Sequence, residues 1–135
     1  MRTRLTRVLG STAVAMTFLG AGAASAEAGA TAGWHHVAGT ANADGSWFIG
    51  EVVRTKSGTG SVIFNLNNNA SGGLCLRLYN ARTNAYFTNP VCWAAGSLAQ
   101  KTLATDVLTG TRFRIAQRKR TPSNTNGGWG GNAWY

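Results

Sequence analysis

The chain has 135 residues, with 13 Lys and Arg against 4 Asp and Glu and a formal net charge of +9. With two cysteines, two histidines and scattered acids, it is poorly supplied for a metal centre of several ligands or for the paired carboxylates of most glycoside hydrolases. The length suits one domain with one modest core.

Arg2, Arg4 and Arg7 precede an uncharged stretch, residues 8–24, that ends at Ala24-Ser25-Ala26. A positive start, an apolar run and small residues at the end are the parts of a secretory signal peptide, so residues 1–26 are expected to be cleaved, with Glu27 opening the mature chain. Gly10, Ser11, Thr12, Thr17, Gly20 and Gly22 interrupt the run, whereas a membrane anchor wants about 20 predominantly apolar residues. The separated arginines argue against the twin-arginine route. The long basic start and the Ala/Gly-rich end resemble export signals of Gram-positive bacteria. The reading is therefore a secreted protein with no stable membrane insertion after cleavage.

Processing leaves ten cations against four acids, a net charge of +6 on a mature chain of about 109 residues. A field of that sign favours acidic partners. Cys75 and Cys92, the chain's two cysteines, are expected to pair outside the cell. Closing that loop stabilises a fold by roughly 3 kcal/mol in the chain-entropy account.

Residues 27–33 read as a flexible leader and 34–135 as a single β-rich domain. Trp34 to Ala38 is a first strand, and Asn42-Ala-Asp-Gly45 a turn. Ser46 to Arg54 is rich in β-formers, and Ser57-Gly-Thr-Gly60 has the composition of a hairpin connection. Ser61 to Leu66 alternates, with Val62, Phe64 and Leu66 on one face. Residues 67–73 form a loop by composition. Leu74 to Tyr79 alternates again: Leu74, Leu76 and Leu78 face one way, and Cys75, Arg77 and Tyr79 the other. Ala85 to Trp93 is a strand that Pro90 confines to an edge or breaks. Ser97-Leu-Ala-Gln100 has capping-box spacing and predicts one helical turn, before a strand at Leu103 to Leu108. Thr111 to Ala116 is the clearest strand, with Phe113 and Ile115 inward and Arg112 and Arg114 outward. Residues 118–131 show no apolar period, and Asn132 to Tyr135 closes the sheet. The expected fold is all-β: a small disulfide-stapled β-sandwich or barrel of seven to eight short antiparallel strands.

The main candidate site is the basic run Arg112, Arg114, Arg118, Lys119 and Arg120. Arg112 and Arg114 project from one strand face about 7 Å apart, and such a cluster holds phosphates or carboxylates. Trp129, set among glycines, offers a flat face for stacking on sugars or bases. Adjacent His35 and His36 on a strand point to opposite faces and do not share a metal. Glu51 is a general-base candidate for a small nuclease, against the plainer alternative of an ion pair. The chain contains no nucleophile elbow, phosphate loop, dinucleotide fingerprint or zinc-protease motif. No catalytic residue, cofactor or metal is assigned. The leading expectation is a secreted, non-catalytic binding module for an anionic cell-wall polymer or polysaccharide, with nucleic acid a weaker partner. A cationic antimicrobial protein, an inhibitor of a secreted hydrolase and a small secreted nuclease are the alternatives.

Overall fold

A computed structural model describes residues 32–135; the expected signal peptide and residues 27–31 of the leader lie outside the described residues. Ten antiparallel strands follow one another: β1 Trp34–Ala41, β2 Phe48–Ile49, β3 Arg54–Thr55, β4 Gly60–Asn68, β5 Leu74–Asn80, β6 Ala85–Tyr86, β7 Val91–Trp93, β8 Lys101–Val107, β9 Arg112–Lys119 and β10 Gly127–Trp134. They form two sheets. One has the order β1-β10-β4-β8. The other has β9 and β5 at its centre, flanked by β2 and β3 on one side and by β6 and β7 on the other.

The alternation read from the sequence places the core. Val62, Phe64 and Leu66 of β4 and Leu74, Leu76 and Leu78 of β5 are buried, as are Phe113 and Ile115 of β9. Phe64 packs edge-on against both Trp93 and Trp129 at centroid separations of 5.8 and 5.7 Å. Aromatic rings prefer this edge-to-face contact, which sets positive ring edges against negative faces.

Four expectations need correction. The strand count is ten rather than seven to eight. The run 46–54 is two short pieces, because Phe48–Ile49 and Arg54–Thr55 pair with β9 while residues 51–53 leave the ladder, after Gly50 N donates to Ile115 O at 3.0 Å. Residues 85–93 divide around Pro90 as expected, since proline lacks the N–H a ladder needs. In place of the helical turn at 97–100, a tight turn at 94–97 is closed by Ser97 N donating to Ala94 O at 3.0 Å, with Gly96 at φ 77°. The capping-box spacing had no apolar period behind it to continue a helix.

The fourth correction concerns residues 118–131. β9 runs on to Lys119, and β10 begins at Gly127 between β1 and β4. Four glycines of β10 carry no side chain to display a period, yet two of them are sterically required. A Cβ on Gly127 would press on the Cβ of Ala70 at 2.7 Å, and one on Gly131 would strike the Asn65 carbonyl. Glycine in a central strand is the price of this close backbone approach.

Two features seal the fold. Cys75 and Cys92 stand opposite each other on β5 and β7 and are joined as a disulfide, 17 positions apart in sequence. Tyr135 is 8 % exposed, stacked on His35 at 4.4 Å and edge-on to Phe113 at 5.3 Å. Among the described residues no helix is long and apolar enough to cross a membrane.

Two tests follow from these seals. Replacing both cysteines by serine is expected to lower the unfolding free energy by about 3 kcal/mol in denaturant titration; an unchanged midpoint would contradict a stapling role. Burial raises the Tyr135 phenol above its ordinary value of 10.0, against a smaller opposing pull from Arg54. Below pH 10.0 the phenol is neutral in both states and its contribution is fully present. As the pH rises further, the unfolded chain gives up a proton that the folded chain retains, so stability falls. Tyr135→Phe should flatten that alkaline loss in thermal melts taken across the range.

Candidate functional site

The register between β5 and β9 builds a charged, aromatic surface on the face turned away from the core. Residues directly opposite in an antiparallel pair share a face. Cys75 is paired with Arg118, Arg77 with Ala116 and Tyr79 with Arg114. On the other side of β5, Tyr79 faces Tyr86 of β6. Small Ala116 leaves room in the middle of the row, and Arg77 occupies it from the neighbouring strand. Trp47, just before β2, comes in over the same face.

Arg77 is clamped there. Its Cζ lies 3.2 Å from the Tyr86 ring centroid and 4.1 Å from that of Trp47. Arg118 approaches the same tryptophan at 5.0 Å. Tyr79 supports the clamp by meeting Tyr86 edge-on at 5.3 Å. The ring quadrupoles attract the guanidinium charges, each contact being worth about 0.5–2 kcal/mol according to its exposure to water.

The arginines Arg77, Arg114 and Arg118 are half-buried, and Nε of each is enclosed without an acceptor. None of the three forms an ion pair with a described carboxylate. Asp44 accepts from Ser46 N at 2.9 Å in a turn, and the Ser46 backbone and hydroxyl hold its carboxyl below the usual carboxylate range. Glu51 lines a cleft with Arg54, and Asp106 belongs to β8 in the other sheet. The result is a concentration of positive charge whose terminal guanidinium donors have no hydrogen-bond partner among the described residues. Such donors suit the oxygen pairs of phosphate, sulfate and carboxylate.

The residues singled out in the sequence fall into three groups. Arg114 and Arg118 lie on this face. Arg112 and Arg120 are exposed at the two ends of β9, Arg112 two positions before Arg114 and Arg120 two positions after Arg118. Lys119 and Trp129 are buried. Lys119 is 1 % exposed and points inward, where its Nζ donates to Ser123 Oγ and, at 2.8 Å, to Thr125 O. It ties the 121–126 loop to the end of the core. Trp129 is 3 % exposed and packs into the core rather than offering a face.

Arg77, Trp47, Tyr79 and Tyr86 were missed. The alternation that placed Arg77 and Tyr79 on the Cys75 face was a usable signal for two of them. His36 is exposed while His35 stacks on Tyr135, and no cluster of three or more metal-ligating side chains occurs among the described residues. Neither histidine is among the residues that line the cleft holding Glu51. Comparison of the chain with family models, with curated proteins and with solved structures finds no match.

Proposed function

We propose that this is a secreted, non-catalytic module that binds an anionic cell-envelope polymer through the arginine face of β5 and β9. The observation that carries the reading is Arg77 held between Trp47 and Tyr86, beside Arg114 and Arg118, with no carboxylate set against them. A side chain of this kind, in contact with two rings, has lost much of its rotamer freedom, so less entropy remains to be lost when an anion binds.

The chemistry also narrows the ligand. Trp47 and Tyr86 each turn one ring face to Arg77. What the face offers outward is guanidinium edges, and these select charged groups. Arg112 and Arg120 continue the row along β9, where alternate residues stand about 7 Å apart. A row of cations at that spacing suits an extended polymer with repeated phosphate or carboxylate groups better than a single small anion. The signal-like residues 1–26 and the disulfide both support a site of action outside the cell.

Co-sedimentation of the mature chain with isolated cell walls tests this. Wild-type protein is expected to pellet at low salt and to be released as salt rises, since exposed charge contacts are screened. The double variant Arg77→Glu/Arg118→Glu should bind at least tenfold more weakly, and walls stripped of their phosphate polymer should capture little of either protein. Binding that ignores salt and both substitutions would overturn the reading.

A further inference from the structure

A second feature lies on the core side of the sheets, away from the arginine face. A cleft of about 500 Å³ opens between β1 and the 48–54 segment that carries β2 and β3. That volume is in the range of small-ligand sites. Val37, Ile115 and Trp129 line it and are each nearly fully buried.

Two polar groups beside these apolar side chains, in a lining that also carries Thr40, Asn42 and Asn126, are incompletely used. Trp129 Nε1 is enclosed and has no acceptor. An indole N–H shut away from water without a partner costs about 1–3 kcal/mol, and native folds seldom leave such a group without a bound water or ligand. Gln117 is 5 % exposed and donates from Nε2 to Thr40 O at 2.8 Å. That bond fixes which end of the amide is the donor, and it leaves Oε1 with no donor of its own. Gly39 makes room for this arrangement, because a Cβ there would run into the Gln117 amide.

We propose that the cleft binds the acetamido group of a neutral N-acetylated sugar. One unpaired donor and one unpaired acceptor over an apolar floor complement a secondary amide. The carbonyl oxygen accepts from Trp129 Nε1, the amide N–H donates to Gln117 Oε1, and the methyl group lies against Val37 and Ile115. The rim fits the rest of the sugar. Phe48 is 43 % exposed and supplies an apolar ring, and Glu51 and Arg54 provide hydroxyl partners of opposite charge, so the cleft does not select a charged ligand. This site is separate from the proposed polymer-binding face and shares no residue with it.

The test is a ¹H–¹⁵N NMR titration of the protein at high salt, which suppresses binding to the arginine face. The β-1,4-linked tetramer of N-acetylglucosamine is compared with the β-1,4-linked tetramer of glucose. The acetylated tetramer is expected to move the Trp129 indole signal downfield and to saturate, while the glucose tetramer leaves it in place. Trp129→Phe identifies that signal by its loss and should weaken binding about tenfold, followed through the backbone signals of Gly39 and Gln117. Arg77→Glu/Arg118→Glu should titrate as wild type, which separates this site from the other. An unmoved indole signal, or equal response to the two tetramers, would overturn the proposal. If Trp129→Phe fails to fold, the backbone signals of Gly39 and Gln117 in the wild-type protein decide the matter: they should shift with the acetylated tetramer and stay in place with the glucose tetramer.

Discussion

The antiparallel register of β5 against β9 is the constraint on which both faces of this domain depend. With Leu78 opposite Ile115 and Arg77 opposite Ala116, every inward position contributes to one core and every outward position to one charged surface. A slip of one residue would exchange the two sets, burying arginine and exposing leucine. The hydrophobic side of the register therefore specifies the polar side. The three leucines of β5 and the Phe113–Ile115 pair of β9 hold the arginines in position as firmly as they hold the core. The disulfide adds a covalent tie on the far side of β5, at the row occupied by Arg118.

This arrangement tolerates unbalanced charge in a way a larger core would not. Guanidinium groups are weakly hydrated for cations, and their faces can be stacked on aromatic rings while their edges remain open. Trp47 and Tyr86 exploit that property for Arg77. The inward end of β9 uses a different solution, with Lys119 satisfied by a hydroxyl and a carbonyl of the loop it anchors. Neighbouring cations on one strand thus serve opposite purposes. One holds the fold closed at its end, and the others stand on the outward face.

Much of the fold was legible from alternation alone. The inward sets of β4, β5 and the first half of β9 needed no tertiary information, and the chain's two cysteines had one simple pairing. The failures have physical causes. Alternation correctly implies that Lys119 points inward with Phe113 and Ile115, but its charge argued for solvent, and the acceptors that make burial tolerable lie in a loop without pattern. Trp129 was misjudged because its glycine neighbours hid the strand it belongs to. The clamp around Arg77 draws on β5, β6, β9 and the approach to β2, and pairing between distant strands is not written in local sequence. Trp47 precedes a strand of only two residues, too short to show a face. Hence the basic run was found, while the aromatic residues that organise it were not.

The most direct test of the central claim is to observe the guanidinium groups themselves. In a ¹H–¹⁵N spectrum tuned to arginine Nε–H signals, the protein is titrated with a short glycerol-phosphate oligomer. The account predicts that Arg77, Arg114 and Arg118 shift together and saturate at one midpoint, while Arg82, exposed on the turn after β5, stays nearly still. Shifts of equal size at every arginine, or none at the clamped three, would show a diffuse cationic surface and contradict a built site.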